Sequence, residues 1–436
     1  MTDQPTIPLS PEVGVSKPRL WKVLGPGLVT GAADDDPSGI ATYSQAGAQF
    51  GFQLGWTLLL TYPLMVVIQA ISARIGRTTG KGIAGNLREH YPNWLVLGIV
   101  GLLFVANTLN IGADLGAMAE SGRLLLPHVP GWAYVVGFGL LCTLGQMLFQ
   151  HERYVAILKW LTLSLFAYFA TLCVVHVQWG ELVKGLLWPQ LSFDREFWLT
   201  VVAILGTTIS PYLFFWQAAQ EVEDTKAEPL DRPLCDDPAE GPGALARIKL
   251  DTMVGMGFSN LVALAILVTA AATLHQAGIS QVDSAAQAAQ ALQPLAGHLA
   301  VVLFSIGIIG TGLLSIPVLA GSAAYALGEA RGWPVGLARK PLQAKAFYGA
   351  IAVATLLGAA ANFFQLNPVK ALVWAAVLNG IVAVPVMALL MLLTTSAVIM
   401  GQLKISRLWM VTGWFGTVVM GVASGAFIVA TVWAGK

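Results

Sequence analysis

The sequence predicts an all-α integral membrane protein of two inverted five-span halves with an eleventh span appended, and three observations carry that prediction. Apolar residues make up 56% of the 436-residue chain and charged residues only 11%, against about 25% charged in an average soluble domain. Apolar stretches of about 20 residues, the length that crosses a bilayer, recur along the whole chain. Two of them, the first and the sixth, are broken by polar residues beside glycine and proline.

Composition narrows the function classes as well. The net charge of +1 supplies no basic field to draw nucleic acid. A mean hydropathy of +0.70 excludes a disordered chain, and three cysteines in this length exclude a disulfide scaffold. Cys142 and Cys173 fall in apolar runs and Cys235 in a polar loop, and all three read as small inert residues. The 46 glycines suit helices that approach closely in lipid. Barrel strands would alternate over about ten residues, whereas these runs are continuous, so the spans are helices.

Taken in order, residues 1–21 (Pro5, Pro8, Pro11, Pro18) read as a cytoplasmic tail rather than a cleaved signal, because Gly25, Pro26 and Gly27 break the apolar stretch after Lys22. The spans are expected at about 22–51, 54–76, 94–122, 131–150, 154–178, 198–220, 250–275, 298–328, 345–363, 368–396 and 408–434. The first five form one half, 22–178, and the next five the other, 198–396; the span at 408–434 lies outside the repeat. With the N-terminus inside, nineteen of the 24 Lys and Arg fall on the inner side and five outside, which is the positive-inside bias. The N-terminus is therefore expected in the cytoplasm and the C-terminus outside a cell (inner) membrane. The longest polar stretch, about 221–249, is mainly acidic. It reads as a solvated cytoplasmic connector or as a vestibule that concentrates cations.

Span one carries Ala33-Asp34-Asp35-Asp36-Pro37-Ser38-Gly39 at membrane depth. A charge there costs about 2.5–3.5 kcal/mol even on the insertion scale, and Pro37 disfavours helix at the residue before it. An unwound segment facing a hydrated cavity resolves both conflicts. Span six has the matching interruption, Gly206-Thr207-Thr208-Ile209-Ser210-Pro211-Tyr212. Two broken spans at corresponding places in the two halves point to a transporter binding site between them. Freed carbonyls and a carboxylate make a site for a hard cation. The six histidines (His90, His128, His151, His176, His275, His298) are too scattered along the chain to share a metal.

The run Asp36-Pro37-Ser38-Gly39-Ile40-Ala41-Thr42, continuing through Gln45-Ala46-Gly47-Ala48-Gln49-Phe50-Gly51-Phe52, resembles the first helix of the natural resistance-associated macrophage protein (NRAMP) family of metal transporters. That family carries Asp-Pro-Gly-Asn at the break. The resemblance implies the LeuT-type five-plus-five inverted repeat with an eleventh helix and with helices 1 and 6 broken. It also implies metal binding by the Asp36 carboxylate and by the carbonyls of Ala33 and Thr207. Two departures stand out. The family's Asn ligand is Gly39 here, and its Met-Pro-His in the sixth helix is Ser210-Pro211-Tyr212. A thioether favours soft metals, so Ser210 and Gly39 are expected to harden and enlarge the site, as in the NRAMP-related magnesium transporter branch.

Supporting roles, in the second shell or along the pathway, fall to Asp35, Thr208 and Tyr212 near the breaks, with Asp34 expected at the cytoplasmic vestibule. Asn110 and Asp114 share a face of span three, and Asp114 matches roughly an acidic proton-pathway residue of the family. Asn379 in span ten lines the cavity or bridges helices. The expected function is import of divalent metal ions, Mg²⁺ and Mn²⁺, by alternating access driven mainly by the membrane potential. No cofactor is implied, and beyond metal ions and the lipid bilayer no nucleic acid or obligate protein partner is expected. One alternative is a proton-coupled Mn²⁺/Fe²⁺ transporter of the ordinary family type. A sodium-coupled organic solute carrier would need an uncharged first break, and a membrane enzyme acting on diphosphates would need basic residues beside the breaks; the sequence offers neither.

Overall fold

A computed structural model describes residues 26–148, 163, 165–227, 231–364 and 367–434. The tail expected over 1–21 and the part of span five before residue 163 lie outside the described residues. Elsewhere the apolar runs become helices, with no strand among the described residues. Span one is α1 (Pro26–Asp34) and α2 (Pro37–Phe50). It is followed by α3 (Gly55–Thr79), the short α4 (Ile83–His90), α5 (Asn93–Leu125) and α6 (Gly131–Leu148). The described end of span five is α7 (Phe166–Leu172), and α8 (Trp179–Leu187) leads to the second half. Span six is α9 (Arg195–Thr208) and α10 (Pro211–Ala227). The rest are α11 (Gly241–Ala270), α12 (Ala300–Arg331), α13 (Lys345–Ala361), α14 (Pro368–Thr395) and α15 (Arg407–Ala434). Nine helices among the described residues are long and apolar enough to cross a membrane. Spans one and five are not among them, and span six is counted as one helix across its break (Arg195–Ala227).

Polarity is distributed as a bilayer requires. Leu102, Val105 and Leu109 on α5 and Val411, Val418 and Val422 on α15 face outward, whereas Gln69, Asn107, Asp114, Gln217 and Asn379 are buried between helices. The first half grips the second through α1 against α11, α3 against α10, and α5 against α12. These contacts are close because small residues meet. A Cβ on Gly31 would overlap the Gly255 backbone, and one on Gly76 would strike the Ala218 carbonyl, the small-residue packing typical of helices in lipid.

The acidic stretch expected as a long connector is shorter than its composition suggests. α10 continues to Ala227 and α11 begins at Gly241, so Glu221 is a fully buried helix residue. The intervening segment is docked on the end of α3. Leu234 and Cys235 donate their backbone N–H groups to the carbonyls of Arg77 and Thr78 at 3.1 and 3.0 Å. The Arg77 guanidinium meets Thr225 (3.1 Å), Asp231 (2.5 Å), the Arg232 carbonyl (2.6 Å) and Glu240 (3.5 Å). Two of the acidic residues of the segment, Asp231 and Glu240, thus face one arginine.

Candidate metal site between the broken helices

Both breaks follow from local chemistry. α1 stops at Asp34, and α2 starts with Pro37 at its first turn, where a missing N–H does no harm. Asp36 is the N-cap of α2 with extended backbone (φ −74°, ψ 170°). Its Oδ1 accepts the Gly39 N–H at 2.7 Å and the Ser38 hydroxyl at 2.6 Å. In span six, α9 ends at Thr208 and α10 opens at Pro211. Each break thus places the carbonyl, electronegative end of one half-helix at the middle of the bundle, where a cation is favoured.

The second oxygen of Asp36 faces other helices. Asn110 of α5 donates its Nδ2 to Asp36 Oδ2 at 3.2 Å. The Tyr212 hydroxyl, at the start of α10, lies 3.3 Å from the Ala33 carbonyl and 3.5 Å from Asp36 Oδ2. Asn110 Oδ1 is buried with no hydrogen-bond partner among the described residues. A turn of this amide would present a second oxygen to a cation, and the neutral donors Asn110 and Tyr212 are the groups a cation would displace from Asp36. No ion pair among the described residues includes Asp34, Asp35, Asp36 or Asp114. No cluster of three or more His, Cys, Asp or Glu side chains with metal-binding geometry occurs there either. The pocket relies on one carboxylate, backbone carbonyls and neutral oxygens.

The other expected residues fall in different places. Ser210 turns back on α9, donating to the carbonyls of Gly206 (2.8 Å) and Thr207 (3.0 Å), so its hydroxyl caps the very carbonyl expected to bind metal. Thr208 donates to Ile204 at 2.8 Å, a bond within its own helix. The room expected beside Gly39 is filled: a Cβ there would lie 3.1 Å from Thr207 Oγ1 and 3.3 Å from the Tyr43 ring. Asp114 is held by Ser315 of α12 at 3.0 Å. Asn379 is buried with both polar atoms unpartnered among the described residues. Asp34 is not at a vestibule. It is 1% exposed and, with Asp35, shares the hydroxyl of Ser259 on α11 (2.5 and 3.2 Å). Ser259 carries no signal in the sequence, because it lies over 220 residues away in an unremarkable apolar span.

Asp36, Thr207, Ser210, Tyr212 and Asn110 are all 2% exposed or less, so the pocket is shut from both sides. On one side lies a cavity of about 370 Å³, lined by Gln45, Gln49, Arg195, Asp283, Lys370 and Trp374 among others. Its rim is tied across: Gln45 of α2 holds Val282 N–H at 2.8 Å, and Asp283 pairs with Lys370 of α14 at 3.1 Å.

The sequence model of the family described as "Natural resistance-associated macrophage protein-like" matches residues 27–430. A protein named divalent metal cation transporter MntH from Klebsiella pneumoniae (strain 342) is 28% identical over 421 residues, covering 94% of each chain. One of the same name from Aeromonas hydrophila is 28% identical over 303 residues, covering 68% of this chain and 70% of the relative. Among solved structures, the manganese transporter of Eremococcus coleocola superposes with a TM-score of 0.71 at 19% identity, covering 94% of this chain and 87% of that one. The inward-facing conformation of Mhp1 superposes with a TM-score of 0.52 at 13% identity, covering 94% and 91%. These likenesses share the inverted-repeat fold.

Proposed function

This chain belongs to the natural resistance-associated macrophage protein-like family, and from that premise we propose that it imports Mg²⁺ and Mn²⁺ by alternating access, with the ion bound between α1/α2 and α9/α10. The observation that carries this reading is the oxygen-rich surroundings of Asp36: the Ala33 carbonyl, the Tyr212 hydroxyl and the Asn110 amide. Oxygen suits hard divalent ions, and Mg²⁺ gains little from sulfur. Relatives named for divalent metal cation and manganese transport support the coarser statement.

Asp36 supplies the charge, Ala33 and Thr207 supply carbonyls, Tyr212 and Asn110 hold Asp36 until the ion arrives, and Ser210 and Gly39 shape the wall. The halves 22–178 and 198–396 are the moving bodies, with 408–434 outside them. With the N-terminus inside an inner membrane, the membrane potential draws the ion in. Each charge gains about 2.3 kcal/mol per 100 mV, so a divalent ion gains about 4.6 kcal/mol. Tyr212, standing where the resemblance has His, is a poor proton acceptor near neutral pH. A second reading, proton-coupled transport, is favoured by Asp114, a buried carboxyl on Ser315. Proteoliposomes with an imposed potential and an internal pH dye separate the two. Mg²⁺ and Mn²⁺ should enter ahead of Ca²⁺ without acidifying the lumen, whereas acidification at fixed stoichiometry would establish the proton-coupled reading.

A further inference from the structure

On the side of the Asp36 pocket away from the 370 Å³ cavity, α1 and α10 run together toward the connector, and the groups between them form a buried polar column. Thr30 Oγ1 meets Gln217 Oε1 at 2.5 Å, and Gln69 of α3 donates to the Leu213 carbonyl at 2.9 Å. One helical turn further, four residues past Gln217, stands Glu221. Its Oε2 receives Arg247 Nη2 of α11 at 2.5 Å. Four residues beyond Arg247, and so on the same face of α11, Asp251 Oδ2 accepts the Gly27 N–H at the start of α1 at 2.7 Å. Thr30, Gln217, Glu221 and Asp251 are all 0% exposed. Arg247 is the one member that reaches water, with its side chain 30% exposed.

A carboxylate with no access to water, at the end of a polar column descending from a cation pocket, is expensive in lipid and belongs on an ion's route. Glu221 Oε1 is buried and has no hydrogen-bond partner among the described residues, so the guanidinium satisfies one oxygen and leaves the other without a donor. We propose that Glu221 and Asp251 form a second cation-binding station on the inner half of the route, occupied in this closed state by the Arg247 guanidinium, which a departing divalent ion displaces. The inference rests on the transport reading above. Glu221, Asp251 and Gln217 Oε1 offer oxygens to a hard ion, and a divalent ion brings twice the charge of the guanidinium it displaces. Because Arg247 is partly exposed, it can leave toward water as the ion enters. Gly27 couples the station to α1, since the peptide bonded to Asp251 begins the helix that ends at the metal pocket.

The test is equilibrium dialysis of the purified full chain in detergent against Mn²⁺, with metal analysis. Arg247→Gln is expected to bind one ion per chain more than its parent, in both the wild-type and the Asp36→Ala backgrounds, and addition of Glu221→Gln to remove that ion. A monodisperse Arg247→Gln protein with no added ion overturns the station. If the Asp36→Ala parent still binds as wild type while Arg247→Gln adds its ion, the Asp36 reading fails and the station stands. Should Arg247→Gln not fold, Glu221→Gln opens the pair from the other partner. In a chain with Cys142, Cys173 and Cys235 changed to Ser, Thr30→Cys should then react several-fold faster with a thiol reagent applied from the connector side, and an unchanged rate overturns the proposal.

Discussion

Asp36 combines two jobs that usually fall to different residues, capping a helix and offering charge to an ion. Its Oδ1 is spent on Gly39 and Ser38, its Oδ2 faces the pocket, and the capping bond therefore aims the second oxygen. Removing one partner of a buried charge contact costs about 3–5 kcal/mol. Asp36→Ala is expected to weaken divalent ion binding by two orders of magnitude or more while the protein remains extractable and monodisperse; isothermal titration with Mn²⁺ reads the loss, and wild-type binding would remove Asp36 from the site. Ser210→Met frees the Gly206 and Thr207 carbonyls and brings in a thioether. The expected result is a shift of about tenfold, or about 1.4 kcal/mol, toward Mn²⁺ over Mg²⁺ in competition uptake; an unchanged ratio would place residue 210 away from the ion. Asp36 was legible in the sequence because a carboxylate beside proline in an apolar run has no bland explanation. The direction of the Ser210 hydroxyl was not, since serine bonds equally well outward or back to its own helix.

At the scale of elements, the two breaks fall where composition placed them, at 34–37 and 208–211, because proline and buried polar groups are strong local signals. The span ends on the connector side were misjudged for the opposite reason. Charge in a sequence reads as a mark of solvent, yet α10 carries Glu221 to full burial because Arg247 meets it from a helix that begins twenty residues later. Long-range pairing leaves no periodic trace. The packing of α9 on α14 gives a sharper test. A Cβ on Gly206 meets backbone, which cannot swing aside, whereas one on Gly98 meets nothing within 4 Å. Gly206→Val should destabilise by about 1–3 kcal/mol, the usual cost of overpacking, and Gly98→Val by much less. Thermal unfolding in detergent compares them, and equal midpoints would contradict the close approach of these helices.

Across the whole molecule, the inverted arrangement was readable because two interruptions sit at matching places in two runs of five spans, while the contacts that join the halves were not. Those contacts are many: α1 on α11, α3 on α10 and α5 on α12 all cross from one half to the other. Arg77 adds a suture of a particular kind. It holds Thr225, Asp231 and the Arg232 carbonyl on one side of the exposed Asp236, and Glu240 on the other. Peptide continuity at Asp236 is therefore expected to be dispensable once the bundle has assembled. Residues 1–236 and 237–436, produced as two separate polypeptides in one cell, should find each other in the bilayer, co-purify through a tag on either, and recover most of the Mn²⁺ uptake of the intact chain. Fragments that insert but purify apart would mean that the joint, and not the suture, keeps the two pieces in register. The gene for such a transporter should then tolerate being cut in two at the place where its protein looks most in need of a link.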